Sequence, residues 1–256
     1  MPVPQLHVEE HGSGETVLLH QGLGQGAWAW RYQVPAFAQR FRTIVFDTRG
    51  TGRSPVPDDD YTIEDLAEDA AAILDGRAAH VVGFSMGGYV ALTLALAHPD
   101  LVRSLVLAGT GAGGPDRVPR PDHVRDAFDR ARALPPEEAR RATLPFTLSP
   151  GWPEANPQRF DEIVAASLEH PTPLATIDAH TAACYRYYDA QNEVERIEAP
   201  ALVIHGTEDL IVPVENGRAL ARRLPNDRYV ELEGRGHNAM LEDPATFNTL
   251  VLGFLN

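Results

Sequence analysis

A serine stands alone between glycines in Gly83-Phe84-Ser85-Met86-Gly87, a G-x-S-x-G pentapeptide. A serine hydroxyl is a weak nucleophile until the backbone presents it in strained geometry and a base withdraws its proton. The apolar run HVVGF precedes Ser85 and the helical YVALTLALAH follows it. A strand must therefore turn into a helix within about two residues. That context makes Ser85 a candidate nucleophile rather than a residue of a glycine-rich turn. Its hydroxyl would project at the end of a sheet, beside helical N–H groups that favour developing negative charge.

Such a serine needs a base, usually a histidine held by a carboxylate. Of ten histidines, His237 stands out. It lies in EGRGHNAMLEDP, between the last strand candidate and the last helix. His7, His11, His98, His123, His170 and His180 read as surface, strand or cap positions, and His205 as packed in its strand. For the acid, ALVIHGTEDLIVP places Asp209 in the turn leaving a strand, with Glu208 adjacent as a substitute. The order Ser85, Asp209, His237 puts all three after the C-terminal ends of strands, the edge where sites in open α/β sheets assemble. An oxyanion also needs backbone donors. LLHQGLGQGAWAW carries three glycines between Gly22 and Gly26, and points to the N–H groups of Leu23 and Met86.

The elements that must position these residues are legible as short apolar runs alternating with helical spacing. The runs are TVLLH (16–20), TIVFD (43–47), HVVGF (80–84), SLVLAG (104–109), ALVIHG (201–206) and RYVELEG (228–234). Most are rich in Val, Ile and Leu without alternation, as in parallel strands covered on both faces. In IEDLAEDAAAILDG the residues Ile63, Leu66, Ala70, Ile73 and Leu74 fall on one helical side. Strand followed by helix, repeated, predicts a doubly wound α/β sheet. QLHVEEHG and ETVLLH, joined through Gly12-Ser13-Gly14, predict an antiparallel hairpin at one edge.

From about Ala112 to Glu195 this rhythm breaks. Eleven of the 21 prolines fall there, with helical patterns but no buried strand. Proline interrupts a helix interior, so several short helices are expected, as an insertion between two strands. The division is a core of 1–111 and 196–256 and a helical cap of 112–195.

Composition narrows the partners. A formal net charge of −14 disfavours nucleic acid and anionic membrane, both of which select basic patches. Cys184 is the only cysteine, so no internal disulfide is needed. The first residues show no basic and apolar leader, and no run reaches the roughly 20 apolar residues of a span. The expected location is cytoplasmic. HExxH, Cys/His clusters and a dinucleotide fingerprint are missing, so neither metal nor organic cofactor is implied.

Taken together, GFSMG, the His-Gln-Gly-Leu-Gly loop with its tryptophan, DTRGTGRS (47–54), GTED and GRGHNAMLEDP resemble the α/β-hydrolase fold family in its capped branch. The resemblance covers nearly the whole chain. It implies a mostly parallel eight-stranded sheet flanked by helices, a Ser85–His237–Asp209 triad, and structural roles for Asp47, Arg49, Gly50, Gly52 and Ser54. A serine nucleophile argues against the dehalogenase and epoxide-hydrolase branches. The resemblance extends to esterases, 3-oxoadipate enol-lactonase-like members and cofactor-free haloperoxidases or perhydrolases. It implies cleavage of a small or medium carboxylic ester or lactone. C–C bond hydrolysis, peracid chemistry and a ligand-binding receptor with vestigial turnover stay open, as does homo-oligomer formation. Many relatives have His-Gly directly after the strand, whereas Gln21 intervenes here. Its amide, with Phe146, Trp152 and Tyr185, is a candidate substrate contact. Phe128, Phe160, Tyr187 and Tyr188 complete the aromatics of the insertion, and Tyr-x-Tyr-Tyr at helical spacing reads as packing.

Overall fold

The computed structural model describes residues 5–256. Residues 1–4, the start of the stretch read for a targeting signal, lie outside the described residues. Seven strands form one sheet: β1 (Val8–His11), β2 (Thr16–His20), β3 (Arg42–Phe46), β4 (Ala79–Phe84), β5 (Val102–Ala108), β6 (Ala201–Gly206) and β7 (Asp227–Leu232). Their spatial order is β1-β3-β2-β4-β5-β6-β7. All neighbours run parallel except β1 and β3. The six strands read from apolar runs are present within a residue or two of their expected ends.

Two expectations are corrected. The sheet has seven strands among the described residues, not eight. The predicted hairpin of β1 with β2 does not form: β1 pairs antiparallel with β3, Val8 opposite Phe46. Every residue of β2 is buried, and both of its edges are taken by parallel partners, β3 and β4. The half-exposed β1 is left to the sheet edge. Gly12 serves close approach rather than a hairpin turn. Its φ is +75°, and a Cβ there would overlap the carbonyl oxygens of Ala38 and Phe41.

Alternate strand residues feed two apolar layers. Leu18, Val81, Leu105 and Val203 face one, and Val17, Leu19, Val82, Val106 and Leu202 face the other. The Met86–Ala97 helix is buried nearly all round, as expected for a helix that follows the central strand. The Ile63–Leu74 helix begins at a capping box, in which Thr62 and Asp65 satisfy each other's backbone N–H. It buries Ile63, Leu66, Ala70 and Leu74.

Between β5 and β6 the chain is helical, with no strand among the described residues. The prolines begin helices instead of breaking them. Pro136 and Pro157 are first helical residues, and Pro121, Pro135 and Pro173 are N-caps. The missing N–H does no harm at these positions. The inserted helices join both core layers. Ala183, Cys184 and Tyr187 pack into one, and Leu144, Leu148, Trp152 and Ile163 into the other. Tyr187 stacks on Tyr89 at 4.7 Å, and the Tyr188 and Tyr89 hydroxyls lie 3.0 Å apart, so the last two tyrosines of the Tyr-x-Tyr-Tyr run are packing residues, whereas Tyr185 is exposed. No helix among the described residues is long and apolar enough to cross a membrane.

Candidate active site

Ser85 follows β4 at once and caps the Met86–Ala97 helix. Its φ is +54° and ψ is −118°. A non-glycine residue there is strained by about 1–3 kcal/mol. The neighbourhood holds it in place. Ser85 N–H donates to Ala108 O at 2.9 Å, and Ser85 O accepts from Gly88 N–H and from Thr110 Oγ1, each at 2.9 Å. The flanking glycines are needed for close approach. A Cβ on Gly83 would overlap the Gly87 carbonyl, and one on Gly87 would overlap His20 O. The end of β2 thus abuts the first turn of the helix that Ser85 caps.

The three sequence-predicted catalytic residues come together. His237 Nε2 lies 3.0 Å from Ser85 Oγ, and His237 Nδ1 lies 2.7 Å from Asp209 Oδ2. All three are buried. With Nδ1–H donating to the carboxylate, Nε2 presents a lone pair to the serine hydroxyl. Phe84 packs against the imidazole, with ring centroids 4.7 Å apart. The other oxygen of Asp209, Oδ1, accepts from Ile211 N–H at 2.8 Å and Val212 N–H at 2.9 Å. Burial alone would raise the Asp209 carboxyl. The facing His237, together with His205, reverses that and holds it well below the usual carboxylate range. Glu208 is exposed, and it is Asp209 that faces His237 Nδ1.

The two oxyanion candidates, Leu23 and Met86, each present a backbone N–H that no carbonyl of the described residues accepts from. Met86 is the first residue of its helix, so its N–H has no intrahelical carbonyl to meet. Leu23 N–H has no acceptor among the described residues. Gly22 O accepts from Gln25 N–H, and Gly22 N–H donates to Gln25 Oε1, both at 3.2 Å. Because a trans peptide points its C=O and N–H in opposite directions, the turn aims Leu23 N–H away from Gln25.

The candidate substrate contacts fare differently. Gln21 is fully buried, and its amide nitrogen donates to Phe46 O and Thr48 Oγ1, each at 2.8 Å. That amide anchors the loop to β3. Tyr185 is 50% exposed and stands edge-on to Tyr188, because it lies on the outer face of its helix. Trp152 is buried in the core layer that also contains Phe84 and Met240. Phe146 is half-buried, 6.3 Å from the His123 ring. The DTRGTGRS turn is structural. Asp47 accepts from Ala27 N–H and Arg53 N–H, Ser54 Oγ donates to Asp47 O, and Arg49 forms a buried bidentate pair with Asp69.

Several residues near the site were not singled out by sequence. His205 Nε2 lies 3.2 Å from Asp209 Oδ2 and 2.8 Å from Val212 O. The spacing of four between His205 and Asp209 was its only signal. Gln25 Nε2 reaches Asn238 Oδ1 at 3.4 Å, and Asn238 Nδ2 donates to Thr147 Oγ1 at 2.7 Å. Glu242 accepts from Ser149 N–H, Ser149 Oγ and Gly236 N–H, tying the insertion to the residue before His237. His180, expected at a surface, strand or cap position, is fully buried. Among the described residues, no group of three His, Cys, Asp or Glu side chains is arranged to hold a metal ion.

The fold that carries this site is matched by known proteins. The model of the alpha/beta hydrolase fold family matches residues 15–244. A relative from Azorhizobium caulinodans, named "Putative carbamate hydrolase RutD", is 33% identical over 97% of this chain and 94% of its own. Among solved structures, the enol-lactonase of Burkholderia xenovorans LB400 aligns with a TM-score of 0.83 at 30% identity, covering 98% of this chain and 96% of that one. A protein described as an N-acyl homoserine lactone degrading enzyme aligns with a TM-score of 0.83 at 29% identity, covering 97% and 96%. The family match runs from β2 through β7 and takes in Ser85, Asp209 and His237, and the chain belongs to the alpha/beta hydrolase family.

Proposed function

We propose that the protein hydrolyses a small or medium carboxylic ester or lactone through an acyl-enzyme on Ser85. The observation that carries this is the continuous relay from Ser85 Oγ to His237 Nε2 and from His237 Nδ1 to Asp209, at 3.0 and 2.7 Å. Ser85 Oγ attacks the carbonyl carbon while its proton passes to His237. The oxyanion is received by the N–H groups of Leu23 and Met86. Collapse of the tetrahedral adduct expels the alcohol, which takes the proton from His237. Water then repeats the sequence and releases the acid and the free serine. Asp209 stabilises the imidazolium and keeps Nδ1 protonated. Residues 112–195 serve as a cap over this site, with 1–111 and 196–256 as the core. The relatives' names add lactones and carbamates to the substrates worth testing, because the same carbonyl attack applies to each.

The test is Ser85→Ala, assayed on p-nitrophenyl acetate, with an organophosphonate label located by mass spectrometry. Turnover should fall at least about a thousandfold with the fold intact, and the label should sit on Ser85. Undiminished turnover, or labelling elsewhere, refutes the mechanism. One acyl burst without steady turnover on any ester, lactone or carbamate marks a receptor instead.

A further inference from the structure

Gly24 is held from three sides by the inserted helical segment. Thr172 Oγ1 donates to Gly24 O at 2.9 Å, and Gly24 N–H donates to His180 Nδ1 at 3.2 Å. The side chain of Ile177 lies over the Cα, where any Cβ on Gly24 would overlap Ile177 Cδ1. The φ of Gly24 is +65°, a conformation that glycine adopts without strain. Thr172 and His180 lie 148 and 156 residues from Gly24 in sequence, so local turn chemistry does not make these bonds.

Gly24 directly follows Leu23. On the N-terminal side, Gln25 holds both backbone groups of Gly22. On the C-terminal side, His180 and Thr172 hold both backbone groups of Gly24. The Leu23 amide is therefore suspended between two fixed peptide units. An oxyanion donor acts through preorganisation, since a donor that must reorient during reaction loses much of its effect.

His180 is suited to accept this bond. It is fully buried, with the Tyr61 ring edge-on at 5.7 Å. The Arg49 guanidinium lies 5.3 Å from that same tyrosine ring. Burial, and then the neighbouring His20, bring the imidazole pKa down to about 4, so at neutral pH the ring is uncharged. One of its nitrogens then lacks a proton and can accept.

We infer that His180 and Thr172 are positioning residues for the oxyanion loop, clamping Gly24 by its N–H and its carbonyl so that Leu23 N–H stays aimed at the reacting carbonyl. The inserted helices thereby complete the catalytic machinery as well as covering it. The catalytic consequence rests on the Ser85 reading, whereas the clamp itself does not.

The test compares His180→Leu, which removes the acceptor, with His180→Asn, whose Oδ1 can replace Nδ1. Thr172→Val removes the other bond and leaves His180 in place. Deuterium uptake is followed in a peptide spanning residues 21–27. Kinetics on p-nitrophenyl acetate and inhibition by phenylboronic acid, which forms a tetrahedral adduct on serine, are measured alongside. His180→Leu should speed exchange in the loop and lower kcat/KM by roughly tenfold or more, short of the about 10²–10³ seen when a donor is removed outright. Boronate affinity should fall in parallel, and His180→Asn should recover most of both. Thr172→Val should move all three readouts in the same direction by less. Loop exchange unchanged in both His180→Leu and Thr172→Val overturns the clamp. Faster exchange with unchanged kcat/KM and boronate affinity overturns the positioning role. A wild-type protein that neither turns over ester nor binds boronate refutes the ester-hydrolase reading, while exchange still decides the clamp.

Discussion

Replacing Asp209 with asparagine changes one atom and should disable the base. The carboxylate accepts four contacts. Oδ1 takes the N–H groups of Ile211 and Val212 at 2.8 and 2.9 Å. Oδ2 faces His237 Nδ1 at 2.7 Å and His205 Nε2 at 3.2 Å. An amide has one accepting oxygen, and two backbone donors that cannot move will claim it. The NH2 group then points at His237 and must donate to Nδ1. The imidazole is driven into the tautomer with its proton on Nε2, facing Ser85 Oγ, where it cannot accept the serine proton. A carboxylate-to-amide change of this kind in a Ser-His-Asp relay lowers kcat by about 10⁴, or about 5 kcal/mol at ~1.4 kcal/mol per tenfold. The assay is steady-state hydrolysis of p-nitrophenyl acetate at pH 7–8, with circular dichroism to verify folding. Glu208→Gln is the control, since Glu208 is exposed and should leave turnover within about twofold, as expected of surface changes away from the chemistry. The reasoning is refuted if Asp209→Asn keeps more than about a tenth of wild-type activity or if Glu208→Gln is the more damaging change. Asp209→Asn should also alter acid stability. The folded carboxyl lies below its unfolded value of 3.8, so its contribution is present above that pH and is lost as pH falls through the folded value. The wild type should therefore lose this advantage over the variant only in strong acid.

Three further outcomes follow from packing and burial. Arg49→Met leaves the Asp69 carboxylate buried beside an apolar side chain and should cost about 3–5 kcal/mol in urea unfolding; the double change Arg49→Met with Asp69→Leu should be milder than the single one, and equal or greater damage would contradict the pairing argument. Burial raises the Glu242 carboxyl above its ordinary value of 4.5 despite the donors from Ser149 and Gly236. Its stabilising contribution is complete below pH 4.5 and declines as pH rises through the folded value, so Glu242→Gln should gain Tm relative to wild type between pH 4 and pH 8, as followed by thermal melts; a widening deficit would contradict the sign. Gly87→Ala drives a methyl group into His20 O and should destabilise by at least about 1–3 kcal/mol while abolishing turnover, whereas a soluble variant with wild-type Tm and kcat would show that the contact yields.

The catalytic candidates were legible because their signals are local. A strand must become a helix around Ser85 within a few bonds, and that strain requires glycines at fixed neighbouring positions. Asp209 and His237 follow strand ends in turn-forming sequence. The strands themselves were visible because burial on both faces demands unbroken Val, Ile and Leu. Tertiary structure decided what depends on a choice among distant partners. Gly12-Ser13-Gly14 is compatible with a hairpin, but competition for the buried edges of β2 gave them to β3 and β4, leaving β1 to pair with β3. Gln21 carries polar groups that suit a substrate or a backbone carbonyl equally, and only the approach of Phe46 and Thr48 selects the second. His180 and His205 look like ordinary helix and strand residues, because a histidine's role is set by what meets its two nitrogens. For His180 that partner is Gly24, 156 residues away. Sequence by itself determined which residues could react and which segments carry them. The folded chain decided which side chains hold them in place, because those contacts are made across the sheet edge between segments whose local preferences carry no information about one another.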